Sequence, residues 1–191
     1  MIYHLYRDAF SEVYTYRYRL TDSNGQLLLS ATWFPPGEGM QPERIVFRDG
    51  AHHRIAHLDW VQRQWWQGDR FLLYLQGRDR PILVIEELWN MVDRLLLKMP
   101  RYRLRLPDGN LLEARGSRYS EHFYELFVLP ADKEMADEEE GTWLGEVIHP
   151  PVGPTYILKT ISPMLTKAPL LLVAVVIVVD MWGLKAAGEA Y

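Results

Sequence analysis

A run of twelve consecutive uncharged residues near the C-terminus constrains the fold of this chain more than any other feature. Ala168 to Val179 reads Ala-Pro-Leu-Leu-Leu-Val-Ala-Val-Val-Ile-Val-Val, with Lys167 before it and Asp180 after it. A membrane-spanning helix needs about 20 apolar residues, whereas a run of about 10–14 is more typical of a buried core element. Extending a span past either end would place a charge in hydrocarbon. The run therefore predicts a buried element and no transmembrane span.

Local propensity and flanking residues disagree about the secondary structure of this run. The β-branched residues from Val175 to Val179 favour a strand. Ser162-Pro163 and Thr166 instead offer helix-start chemistry and Gly183 offers a stop, which together predict a helix over about residues 164–183. A helix that is apolar on all sides must be buried on all sides. In a chain rich in strands, the inside of a β-barrel provides such surroundings.

The first 160 residues alternate between apolar or aromatic runs and turn residues. Tyr16, Tyr18 and Leu20 alternate with Arg17 and Arg19, a period of two that is typical of a strand with one inward face. Asn24-Gly25 then favours a tight hairpin turn. The same unit recurs to give four hairpins, whose turn glycines are Gly25, Gly50, Gly77 and Gly109. This regular spacing predicts a mainly β chain that closes into an antiparallel barrel, with an open sandwich as the alternative.

Three later segments have less regular patterns. Residues 87–98 carry apolar side chains at helical spacing and fit either an amphipathic helix or a long strand. Residues 132–141 include the acidic run 137–140 and predict a solvated loop. Two further strands are expected at Trp143–Ile148 and Tyr156–Ile161, because the prolines between them interrupt the pattern.

Composition limits the function classes that this chain can serve. Its 191 residues, 48% hydrophobic and 24% charged, fit one globular domain over residues 1–191. A net charge of −4 predicts no general affinity for nucleic acid. The absence of cysteine excludes disulfides, thiolate catalysis and cysteine zinc sites. The N-terminus shows no secretory signal pattern, so a cytoplasmic location is expected.

Two segments resemble the tubby C-terminal-like superfamily, and in particular its LURP-one-related and phospholipid scramblase members. The segment from Pro169 to Asp180 is similar to the central hydrophobic helix of that family. Upstream, residues 85–88, the Pro100-Arg-Tyr102 strand start with its Asp108-Gly109 turn, and residues 112–116 follow the family's order of strands and turns. The resemblance covers about Tyr16 to Trp182.

This resemblance implies a barrel of about twelve antiparallel strands that encloses the C-terminal helix. It also implies binding of phosphoinositides or other anionic phospholipids at a membrane surface, or lipid scrambling in one branch. The acidic calcium-binding segment that scramblases carry before the helix has no counterpart, because residues 156–166 contain no Asp or Glu. A scramblase-like membrane protein is therefore the weaker of these expectations.

Alternating arginines form the candidate binding residues. Arg101, Arg103 and Arg105 alternate with apolar residues, so their guanidinium groups are expected on one strand face, with Arg115 and Arg118 close by. Guanidinium groups bind phosphate in a bidentate manner, which makes this face a candidate for lipid head groups. The alternative is that these charges only keep the outer surface solvated.

No sequence motif indicates catalysis or a cofactor. The chain has no nucleophile elbow, no phosphate-binding glycine loop and no His-Glu-x-x-His zinc motif, so we expect a non-enzymatic protein without cofactor or metal. A helix that fills the barrel would also leave no internal cavity for a carried lipid. Trp65 and Trp66, near a predicted hairpin loop, support a second hypothesis, a protein-interaction or structural module without a lipid ligand.

Overall fold

A computed structural model describes most of the chain. It covers residues 1–10, 15–34, 44–61, 68–88, 99–116, 122–130, 141–167 and 169–187. Two predicted features fall largely or wholly outside these ranges. The acidic loop over 132–141 is described only at Gly141, and of the ambiguous segment 87–98 only residues 87 and 88 are described, as the end of a strand.

Twelve antiparallel strands in the described part of the chain form a closed barrel. The strands are β1 Ile2–Phe10, β2 Thr15–Asp22, β3 Leu27–Phe34, β4 Arg44–Asp49, β5 Arg54–Val61, β6 Arg70–Leu75, β7 Leu83–Leu88, β8 Arg101–Arg105, β9 Leu111–Gly116, β10 His122–Val128, β11 Thr142–Ile148 and β12 Tyr156–Thr160. Each strand pairs with its neighbours in sequence, and β1 pairs with β12 through the register Ile2↔Lys159. The predicted barrel is confirmed, and closure leaves no sheet edge open.

The four predicted hairpins are all present, but one turn differs in its chemistry. Gly25 and Gly109 adopt positive φ, which one residue in each of these tight turns must do. In the β4–β5 turn the positive φ falls on His52 (φ 67) and not on Gly50. Gly50 is needed for a different reason, because a Cβ there would lie 2.8 Å from the carbonyl oxygen of Leu27.

The C-terminal element is helical, as predicted, although its bounds differ from the prediction. A short helix α1 spans Pro163–Lys167 and a long helix α2 spans Pro169–Ala187. The expected stop at Gly183 is wrong: the helix continues, and Leu184 is buried in its following turn. Burial of Leu184 therefore outweighs the weak helix propensity of glycine.

Helix α2 occupies the inside of the barrel. From Leu172 to Met181 each side chain is at most 2% exposed, and inward residues of the strands pack around them. Burial on every side explains why a run rich in β-branched residues is helical, since tertiary contacts override strand propensity. Among the described residues, no helix is both long enough and apolar enough to cross a membrane.

Candidate functional site

The predicted arginines lie on the outer surface of two adjacent strands. In β8, Arg101, Arg103 and Arg105 alternate with the buried Tyr102 and Leu104, so all three point away from the barrel interior. Arg115 lies on the neighbouring strand β9. We call these four residues the arginine face. The fifth candidate, Arg118, lies outside the described residues, as do Trp65 and Trp66.

Two glutamates on the same outer surface hold the arginine face in place. Glu113 Oε2 lies 3.1 Å from an Nη atom of Arg115, and its other oxygen lies 3.8 Å from an Nη atom of Arg101. Glu86, on β7, lies 3.4 Å from the Nε atom of Arg105. The sequence does not predict either glutamate as a partner. The pairs Glu86–Arg105 and Glu113–Arg101 join different strands, and the pair Glu113–Arg115 within β9 forms because both residues lie on its outward face. The arginines are thus organised by neighbouring carboxylates.

The guanidinium groups differ in their access to solvent. The side chain of Arg105 is 49% exposed, whereas that of Arg115 is 14% exposed and lies over the ring of Phe127 at 4.6 Å from its centroid. Glu113 is only 4% exposed, so the arginines cover its carboxylate. The exposed part of this face is therefore dominated by guanidinium groups.

Arginines outnumber glutamates among the described residues that point outward on this surface. Arg70 on β6 extends the face, with its Nε atom 3.6 Å from Glu86, and Glu125 on β10 lies beside Arg115 in the strand register. Five arginines therefore face three glutamates within this group. Within these eight described residues the arginines outnumber the glutamates by two, whereas the whole chain carries a net charge of −4.

An open apolar pocket of about 600 Å³ lies at one end of the barrel. Its walls come from the strand ends and turns of β3, β5, β6, β7 and β8, and from the first residues of α2. This finding corrects the expectation that the helix would leave no cavity. The helix fills the barrel along its length, but its first turn does not cover this part of the barrel end.

A buried polar network lies inside the barrel, around Asp180 of α2. Asp180 is 2% exposed, and its carboxylate accepts hydrogen bonds from Arg7 at 2.7 Å, from the hydroxyl of Tyr18 at 2.8 Å and from the hydroxyl of Tyr156. A buried charge is tolerated only when it is paired and hydrogen-bonded, as it is here. Sequence reasoning treated Asp180 as the end of the apolar run and did not predict this network.

The pKa values of Tyr18, Tyr156 and Arg7 are shifted within this network. Burial, followed by the charge of Asp180, raises the pKa of Tyr18 well above its ordinary value, and raises that of Tyr156 in the same way. Burial alone would lower the pKa of Arg7, but the attraction of Asp180 outweighs it and the pKa of Arg7 is raised. Both tyrosines therefore stay neutral and donate hydrogen bonds to the carboxylate of Asp180. The charged guanidinium group of Arg7 donates a further hydrogen bond to the same carboxylate.

The histidines and acids described by the structure do not form a metal site. No group of three or more His, Asp or Glu side chains within the described ranges is placed to hold a metal ion. His57 stacks on Tyr74, so it has a packing role on the outer surface. Burial lowers the pKa of its imidazole.

Comparison of the chain with protein-family models, with curated proteins and with solved structures gives no match. The resemblance to the tubby C-terminal-like superfamily therefore stays a prediction from the sequence.

Proposed function

We propose that the protein is a non-enzymatic module that binds anionic phospholipid head groups at a membrane surface through the arginine face. The observation that carries this proposal is the grouping of Arg101, Arg103, Arg105 and Arg115 on one outer surface, where arginines outnumber glutamates among the described outward residues. The resemblance to a family that includes lipid-binding members points the same way. On this proposal the protein is cytoplasmic and contacts the membrane peripherally.

The ion pairs of the arginine face suit it to phosphate binding. Each guanidinium group has five N–H donors, so contact with one carboxylate leaves donors for a bidentate contact with a phosphate. Side chains already held by Glu86 and Glu113 lose less rotamer freedom when a head group binds. Near an anionic leaflet each arginine contributes about 1 kcal/mol of attraction, within roughly a Debye length of the surface.

The test is co-sedimentation of the full chain with vesicles of graded phosphatidylserine content, at low and physiological salt. Binding by the wild-type chain should rise with anionic lipid and fall with salt. The variant Arg103→Ser/Arg105→Ser should bind about 30-fold more weakly, because it loses about 2 kcal/mol of attraction. This pair leaves Glu113 with Arg101 and Arg115, and Glu86 with Arg70, so both glutamates keep an arginine partner.

The matched control is Arg17→Ser/Arg19→Ser on β2. These arginines lie in a strand six places from β8 around the barrel, and the substitution makes the same change in net charge. The control should bind as the wild type does. Equal losses in the two variants would refute a specific face, and a wild-type chain that stays in the supernatant throughout would refute lipid binding. That second result would favour the protein-interaction hypothesis.

A further inference from the structure

The pocket at the barrel end has the size and lining of a ligand site. Its volume of about 600 Å³ falls within the range of about 300–1,000 Å³ that is usual for small-molecule pockets, which often lie at the mouths of β-barrels. Its lining is predominantly aliphatic and includes Leu28, Ile55, Leu75, Ile82, Leu106 and Leu170. Each of these six side chains is only partly buried, so the pocket presents accessible apolar surface.

The position of α1 explains why this side of the barrel end is open. The hydroxyl of Tyr3 on β1 donates a hydrogen bond to the carbonyl oxygen of Thr166, so α1 lies on the β1 side of the barrel end. The pocket lies on the opposite side, between β3 and β8, where the described chain places no covering segment. Among the described residues, the opening therefore follows from the position of α1 on the other side of the barrel end.

Charged residues at the rim match an anionic amphiphile. Four exposed arginines lie within three residues of the lining residues along the chain: Arg54, Arg78, Arg80 and Arg105. Asp79 lies among them, and Asp108 lines the pocket itself. The carboxylate of Asp108 is engaged by the backbone and side-chain N–H groups of Asn110, at 3.0 and 2.7 Å. Positive charge therefore prevails around an apolar interior.

The same end of the barrel exposes large apolar side chains. Met1 precedes β1 and is 63% exposed, Ile2 begins β1 and is 43% exposed, and Ile161 follows β12 and is 70% exposed. The register Tyr3↔Asp22 places them at the end that carries the β2–β3 turn, next to which the pocket opens. An apolar pocket with exposed apolar side chains at the same end fits a membrane lipid better than a freely soluble ligand.

We infer that this pocket takes one acyl chain of the anionic lipid whose phosphate the arginine face binds. Arg105 belongs to both features, because it ends β8 within the arginine face and directly precedes Leu106 of the pocket wall. A head group at Arg105 can therefore direct a chain into the pocket. This inference rests on the proposed function and adds the chain as a second determinant of recognition.

The experiment measures binding of monomeric lysophosphatidate to the full-length protein by calorimetry, with hexanoyl, octanoyl and decanoyl chains. Glycerol 3-phosphate serves as the head group alone. Each methylene that enters the pocket should tighten binding about fourfold, which corresponds to about 0.8 kcal/mol. Wild-type affinity should rise by roughly 15-fold for each added pair of methylenes, until the pocket is full.

The variant Ile55→Trp fills the pocket, and Ile157→Trp on β12 is its matched control. Ile157 is a partly buried outer residue on the far side of the barrel, so the control adds the same ring away from the pocket. The chain-length dependence should disappear in Ile55→Trp and persist in Ile157→Trp. Ile82→Trp, in the turn before β7, provides a second filling variant, and thermal unfolding verifies that each variant is folded.

The outcomes separate this inference from the proposed function. Wild-type affinity that is independent of chain length overturns the acyl pocket while head-group binding stands. Chain-length dependence that persists in both filling variants also overturns it. If neither lysophosphatidate nor glycerol 3-phosphate binds and anionic vesicles are not bound, then the proposed function fails and the inference fails with it.

Discussion

The buried charge of Asp180 leads to a prediction in which two partners of one ion pair respond unequally to substitution. The side chain of Asp180 is 3% exposed and that of Arg7 is 26% exposed. Replacing Arg7 by Met leaves a carboxylate in the barrel whose partners among the described residues are two tyrosine hydroxyls. Removing one partner of a buried pair costs about 3–5 kcal/mol, a large part of a typical domain stability of about 5–15 kcal/mol.

The reciprocal substitution should cost less. Asp180→Asn keeps the shape of the side chain and one oxygen that accepts a hydrogen bond from a tyrosine hydroxyl. The charge left on Arg7 is partly solvated, so the loss should be closer to the cost of about 1–3 kcal/mol for an impaired buried hydrogen bond. The double variant Arg7→Met/Asp180→Asn should be more stable than Arg7→Met alone, because no uncompensated carboxylate then remains.

Urea denaturation of the four proteins, followed by tryptophan fluorescence, measures these differences as a double-mutant cycle. Additive losses in the double variant, or a loss below about 1 kcal/mol in Arg7→Met, would refute the reasoning. Such a result would mean that Asp180 finds solvent or another partner when Arg7 is removed.

Two other predictions follow from the described residues. Burial raises the pKa values of Tyr18, Tyr102 and Tyr156 above the unfolded value of about 10, so the folded state holds these protons longer. The contribution of these tyrosines to stability should be constant below about pH 10 and should then fall, by up to about 1.4 kcal/mol per pH unit for each tyrosine. Denaturation midpoints that do not fall at alkaline pH would contradict this. His52→Gly should stabilise the β4–β5 turn by about 0.5–1 kcal/mol, because glycine adopts the positive φ at this position without the steric cost of a side chain. Gly109→Ala, at the equivalent turn position, should destabilise by about 1 kcal/mol in the same thermal-unfolding assay, and similar effects of the two substitutions would contradict the turn assignment.

The elements of the fold that the sequence predicts well are those with a local signal. Hairpin turns are visible because Asp-Gly and Asn-Gly occur between alternating runs, and the helix is visible because Ser162-Pro163 precedes a long apolar run. Positions that depend on contacts between distant segments are harder to predict. The positive φ at His52 follows from how the β4–β5 turn is closed, and Gly50 is fixed by the nearby backbone of Leu27, on another strand.

The candidate site shows the same contrast between features with a local sequence signal and features that depend on contacts between distant segments. Alternation alone places Arg101, Arg103 and Arg105 on one face. Their glutamate partners depend on strand register, which alternation does not specify. The Asp180 network joins residues from 24 to 173 positions apart in the chain, and the barrel-end pocket depends on where α1 crosses. Only the folded chain brings these groups together.

The arginine face can be tested most directly with a fluorescent probe at a single introduced cysteine, because the chain contains no cysteine of its own. Leu111→Cys places an environment-sensitive label beside Arg105, its partner in the strand register, and Ser30→Cys places the same label beside Arg19 on the opposite side of the barrel. With phosphatidylserine vesicles, the label at position 111 should shift its emission to shorter wavelength and the label at position 30 should not. A vesicle-dependent shift at position 30 alone, or no shift at position 111 under conditions in which the protein sediments with vesicles, would contradict the proposal.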